Sequence, residues 1–294
     1  MDLKGRRKSS NVDDRRSQGG GGNAGFGLPI SGKMGIGGLI LVALITWALG
    51  GNPLDVVTQG LSGEVPTEQT SSYTPTAQEN ELAEFSSQIL AGTEDYWTEQ
   101  FQKMGKTYRA PKLVLFHGSV RSGCGGATSA SGPFYCSADE TVYIDLSFFT
   151  QMKQQLGADG DFAYAYVIAH EVGHHVQHLL GTLQQAHTKM QQVSEKESNQ
   201  ISVRLELQAD YYAGVWAYHD HARFKSLEPG DIDEALDAAS KIGDDYLQKK
   251  ARGYTVPDSF NHGTSEQRHR WLKAGLQTGN FAGGDTFSQP YSSL

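Results

Sequence analysis

The chain has 294 residues, of which 38% are hydrophobic, and a formal net charge of −8, enough for one sizeable core with appendages. Residues 1–33 carry seven Lys/Arg against three Asp, so the remainder is strongly acidic. An acidic body without a long basic patch excludes the electrostatic footprint of a nucleic-acid-binding protein.

In chain order, residues 1–33 are polar, include four consecutive glycines at 19–22, and read as a disordered basic arm in the cytoplasm. Residues 34–49 form an uncharged apolar run followed by Gly50 and Gly51, which meets the lower limit of about 17 residues for a spanning helix. No Lys or Arg follows until Lys103. The positive-inside rule therefore reads 34–51 as a single-pass transmembrane anchor in the inner membrane, with the remainder in the periplasm or outside the cell. A cleaved signal peptide ending near Ala48-Leu49-Gly50 and a buried soluble helix are the alternatives; the long arm argues against the first and the charge asymmetry against the second. Residues 52–78, rich in Thr, Ser, Gln and Pro, read as a linker. A globular domain is expected over 79–294.

Cys124 and Cys136 flank a Gly/Ser-rich stretch, and in an exported domain they are expected to pair as a disulfide rather than remain free buried thiols. Their spacing is not that of a zinc pair. Apolar periodicity predicts helices over 79–90 and 93–104, and β-branched and aromatic residues predict strands over 112–117 and 141–146. Further helices are expected over 162–180, stopped by Gly181, within 184–221, over 232–250 and over 265–277. Asp231-x-x-Glu234 and Thr264-x-x-Gln267 have the form of capping boxes.

The chemistry concentrates in His170-Glu171-Val172-Gly173-His174. Histidines four apart share a helical face, so both imidazoles can reach one metal ion. Glu171 then lies beside that ion, placed to deprotonate a water that zinc (Zn2+) polarises. A core helix with surface histidines is the plain alternative, but the motif sits in an apolar helix, and Gly173 lets another backbone approach closely. Downstream, Glu206 and Asp210 are again four apart among apolar residues, where an unpartnered carboxylate pair is costly to bury. Glu206 is therefore read as the third metal ligand and Asp210 as the acceptor from a ligating histidine, His170; a solvated charge pair is the alternative. His262, in a loop entering a helix, is a candidate donor to a developing oxyanion, or an ordinary loop histidine. Arg268 is a candidate to orient His262 or Glu206. His175, His178, His219 and His221 read as supporting or surface groups, and nothing in the sequence places His117 in the cleft.

The segments HEVGHHVQH, ELQAD and HGTSEQR, with the VDDRR arm, PKLVLF, GCG…GPFYC, VYIDLSFF and GDIDEALDAASKIGDD, resemble the YpfJ-like neutral zinc metallopeptidases of bacteria over almost the whole chain. The resemblance implies an α+β fold: a mainly helical, zincin-like (minimal gluzincin) catalytic domain with a small sheet, plus the anchor. It implies His170, His174 and Glu206 as zinc ligands and Glu171 as catalytic base, and strengthens roles for His262 and Arg268. The chain departs from that pattern at Tyr211 and Gly284, where such relatives often carry cysteines; this implies loss of one optional disulfide.

The function expected is hydrolysis of peptide bonds in a peptide or protein of the envelope, on a domain tethered through 34–51. The rivals are a non-catalytic zinc-stabilised scaffold or chaperone and an amidase acting on cell-wall peptides. Strand 141–146 is expected to be the sheet edge that receives substrate, with the disulfide loop over the cleft.

Overall fold

The computed structural model describes residues 1–18 and 73–294. The predicted anchor 34–51 and most of the predicted linker lie outside them. Among the described residues no helix is long and apolar enough to cross a membrane.

The architecture is α+β, with a small sheet against a bundle of helices. Strands β1 (Val12–Asp14), β2 (Lys112–Phe116), β5 (Phe134–Cys136) and β6 (Thr141–Asp145) make one sheet in the order β1-β2-β6-β5. β1, β2 and β6 run parallel and β5 is antiparallel to β6. β3 (Ser119–Ser122) and β4 (Gly125–Thr128) form a separate hairpin. Successive side chains of a strand face opposite ways. Leu113 and Leu115 therefore join the main core, while Val114 and Phe116 join a second cluster with Tyr143 and Cys136, packed by Val120 and Phe134. Burial on both faces explains why β2 reads as a continuous apolar run. The Cys124–Cys136 disulfide is formed and ties the hairpin to β5.

Among the described residues the α-helices are, in chain order, α1 (Ala77–Lys103), α2 (Ser147–Gln151), α3 (Asp161–Leu180), α4 (Thr182–Met190), α5 (Glu195–Phe224), α6 (Asp231–Lys241), α7 (Asp244–Arg252) and α8 (Ser265–Thr278). Thr76, Ser194 and Thr264 each close a capping box with the Glu or Gln three residues on. Gly181 ends α3 in the left-handed region at φ 83°. α3 is apolar nearly all round and lies at the centre of the bundle.

Several expectations are corrected. Residues 1–18 are not a disordered arm: β1 pairs with β2, and Met1 and Leu3 enter the main core. The two helices predicted over 79–104 are one, because Ala91-Gly92 continues the helix where Asp220 and Arg6 press close to Gly92. The domain includes residues before 79, with Tyr73 stacked on His117 at 3.5 Å. The helix over 232–250 is two, broken at Gly243, whose added Cβ would stand 2.3 Å from the Ser265 nitrogen. Asp231 makes no capping box; Gly230 occupies the cap position, and the Asp231 carboxylate accepts from the Glu228 N–H. Strand β6 is interior, hydrogen-bonded on both sides, so the sheet edge on that side is β5.

Candidate metal centre

α3 and α5 pack at backbone distance. A Cβ on Gly173 would stand 3.0 Å from both Cα and O of Ala209, so only glycine admits this approach. The contact brings His170 and His174 of α3 opposite Glu206 of α5. His170 Nε2 lies 3.2 Å from Glu206 Oε2, and His174 Nε2 lies 3.4 Å from Glu206 Oε1. One ligand atom from each of the three lies within 4.8 Å of the others.

The outer nitrogens fix how these rings present themselves. His170 Nδ1 is 2.8 Å from Asp210 Oδ1. Arg268 Nη2 is 3.4 Å from the same nitrogen but 2.9 Å from the Asp210 oxygen, so the ring Nδ1–H donates to the carboxylate. His174 Nδ1 is 2.9 Å from Gln177 Oε1, and the Gln177 amide donates to Leu205 O at 2.7 Å and Gln208 Oε1 at 3.2 Å. The two acceptors on its NH2 orient the Gln177 amide, which makes its oxygen the partner of the ring. Both imidazoles thus carry hydrogen on Nδ1 and turn Nε2 lone pairs toward the Glu206 carboxylate. When Nε2 of each ring is unprotonated, two nitrogens and a carboxylate converge in a buried site, and that N, N, O set suits zinc.

Asp210 is fully buried and saturated. Arg268 grips it through Nε and Nη2, each at 2.9 Å, and the Tyr166 hydroxyl donates at 2.6 Å. Burial opposes its charge, but Arg268 and then His170 outweigh burial and hold the carboxyl down at about 2. Glu206 is likewise held well below its ordinary value; burial opposes, while Coulombic attraction to His174 and then to His262 favours the carboxylate. Burial dominates for Glu171 and pushes its carboxyl up, in the direction a general base near neutrality requires.

His262 enters from the loop between α7 and α8. Asp244, the first residue of α7, accepts the backbone N–H groups of Asn261, His262 and Gly263 at 2.8, 2.7 and 3.1 Å, and its other oxygen lies 3.3 Å from His262 Nδ1. Asp245 accepts from Ser265 N and Oγ at 2.7 and 2.9 Å. Gly263 takes φ 97° and abuts Val203 and Leu207 of α5, which keeps the loop on the helix that carries Glu206. Burial works against charge on His262, but Glu206 and then Asp244 raise its pKa.

Arg268 is placed on Asp210, with Glu206 at 3.8 Å, whereas the sequence reading aimed it at His262 or Glu206. Sequence reasoning missed Gln177, Tyr166 and Asp244. Gln177 stood three residues from His174 on one helical face and could have been found by that spacing; Tyr166 and Asp244 meet the site only through tertiary packing. His175 is fully buried among Tyr135 OH at 2.9 Å and Arg109 O at 2.6 Å, a core group that ties α3 to β5. Positions 211 and 284 are neighbours: the Tyr211 ring lies where a Gly284 side chain would point, and its hydroxyl donates to Asn280 O at 2.8 Å.

A helical bundle on a small sheet, enclosing a His–His–Glu cluster with a buried glutamate beside it, defines the class. The family described as "Putative neutral zinc metallopeptidase" matches residues 1–287, and the chain belongs to it. It is 52% identical over 292 residues to "Uncharacterized protein YpfJ" of Escherichia coli (strain K12), covering 98% of this chain and 99% of that one. It is 45% identical over 191 residues to "Uncharacterized protein Rv2575" of Mycobacterium tuberculosis (strain ATCC 25618 / H37Rv), covering 62% and 64% respectively. No solved structure matches the chain.

Proposed function

We propose that the protein is a zinc-dependent peptidase in which His170, His174 and Glu206 hold the metal and Glu171 is the general base. The observation that carries this reading is the convergence of two Nε2 lone pairs and one carboxylate, each oriented from behind by Asp210, Gln177 or packing. Zinc, when bound, supplies Lewis acidity toward a water and a substrate carbonyl. Glu171 takes the proton of the attacking water and returns it to the leaving amine; its raised pKa suits both transfers. His262, held by Asp244, donates to the oxygen on which charge develops. Arg268 stabilises the Asp210 carboxylate, which in turn keeps His170 in the tautomer that presents Nε2.

The strand β5 packs on the helix that carries the two ligand histidines, since Tyr135 reaches His175 on α3. Its outer edge is unpaired in the sheet order, so an extended peptide can add there as a further strand. A purely structural zinc site has no use for a buried, unligated Glu171, which favours catalysis over a scaffold. The ligand assignment is checked by elemental analysis of the purified chain. Wild type is expected to hold one zinc per chain and His174→Ala to lose it under the same dialysis. A His174→Ala chain that keeps stoichiometric zinc contradicts the assignment.

A further inference from the structure

We propose that residues 1–18 are a structural part of the metal-centre domain, so that they and the domain lie on the same side of any membrane the chain meets. This inference does not depend on the peptidase reading. It replaces the single outward crossing that the charge pattern suggested.

Two buried carboxylates of the domain have their counter-ions in this segment. Asp220 of α5 is 4% exposed, and Arg6 reaches it with both guanidinium nitrogens at 3.1 and 2.6 Å while stacking on Phe224. Glu94 of α1 is 8% exposed and receives Arg7 at 2.9 Å together with Ser9 and Asn11. Residues 1–18 thus supply the cations that face both acids, and a buried carboxylate without such a partner is strongly unfavourable. β1 adds main-chain pairing: Leu113 N donates to Asn11 O at 2.9 Å, and Arg15 N to Leu115 O at 2.8 Å. Five of the basic residues that read as a topological signal are therefore paired, Arg6 and Arg7 with buried acids of the domain, Lys8 with Glu84 at the surface, and Arg15 and Arg16 with Asp13 and Asp14 of the segment itself.

The two ends of the intervening stretch also meet. Buried Arg16 donates to Glu79 O at 2.9 Å, and Tyr73, where the described chain resumes, donates to the Glu79 carboxylate. Arg16 and Tyr73 thus meet the domain at one place, the start of α1. One passage through a hydrocarbon layer about 30 Å thick would separate the two ends and break every contact above. Arg16 and Tyr73 therefore lie on the same side of any membrane the chain meets.

Two measurements on the full-length chain test this. The first places single cysteines at Lys8 and Lys196, exposed on the segment and the domain respectively, and labels each with a membrane-impermeant maleimide before and after permeabilising cells. The proposal expects the same change for both; labelling from opposite sides overturns it. The second treats purified Lys8→Cys/Glu84→Cys with a short bismaleimide. An intramolecular cross-linked peptide is expected, and its absence in a chain that retains its fold by circular dichroism overturns docking. Loss of peptidase activity bears on neither result, and neither pair touches the metal cluster.

Discussion

The histidines at the centre are specified by what stands behind them. Asp210, Gln177 and Asp244 each accept a hydrogen bond or carry a charge that no water could supply as cheaply in a closed site. Of these, Asp244 acts only through His262, which makes it a positioning residue. Its oxygens hold three backbone N–H groups and face Nδ1, so Nε2 is the atom left for substrate. Asp244→Asn keeps an acceptor but loses the charge. It should lower kcat by roughly 10-fold, about 1.4 kcal/mol of transition-state stabilisation, with KM and zinc content unchanged. In the His262→Ala background the same change should do almost nothing more, because the coupled partner is already gone. Additive effects in that double-mutant cycle would show that Asp244 serves only the loop.

At the scale of elements, the site depends on close helix contacts made by glycines. Gly173 sets α3 on α5. Gly214 and Gly275 let α5 and α8 cross so tightly that a Cβ on either would stand 2.3 or 2.2 Å from a facing carbonyl oxygen. The contacts explain what could be read in advance. His170, His174 and Glu206 were legible because four-residue spacing on a helix fixes relative direction, and two such pairs suffice to suggest a centre. β2 and β6 were legible from β-branched, aromatic runs. β5 and β1 were not: each is three residues long, too short for an alternating pattern, and each exists because a longer strand offers it a partner. The break at Gly243 was hidden because its cause is the Ser265 backbone, far along the chain. Reading β6 as the edge followed sequence order, while the sheet places β5 outside it. If β5 receives substrate by strand addition, N-methylating single backbone amides of a peptide substrate should raise KM at alternate positions and leave others untouched, since only alternate amides face the strand. A uniform response would place the peptide elsewhere.

At the scale of the whole molecule, the docked segment changes how charge is distributed. The domain's acids are neutralised from within by residues 1–18, and its first charge is among them. The Met1 ammonium lies between Asp161 and Asp231, 3.1 Å from the latter and 3.3 Å from Glu228, with Glu234 nearby. Asp161, Asp231 and Glu234 could have been taken for a second cation site, but the ammonium already supplies the charge. Burial opposes that charge, yet Asp161 and then Asp231 raise its pKa above the ordinary value of 8.0. A raised folded value means stabilisation that is complete below about pH 8 and lost as pH rises through the raised value. Thermal melts of the free-amine chain against an Nα-acetylated one should therefore show a gap at pH 7 that narrows as pH rises past the ordinary value of 8.0. A gap independent of pH would assign the effect of acetylation to bulk instead of charge.

The central claim is that a buried glutamate beside a His–His–Glu centre carries the proton in peptide hydrolysis. Turnover of a peptide library by the zinc-loaded wild type and by Glu171→Gln, with zinc content measured on both samples, tests it most directly. Wild type should cleave. Glu171→Gln should keep one zinc per chain, because the residue is not a ligand, and should lose at least ~10²-fold in kcat, the lower end for removal of a general base. A Glu171→Gln chain that retains zinc and cleaves at the wild-type rate would contradict the account, as would a zinc-loaded wild type that hydrolyses no peptide in the library.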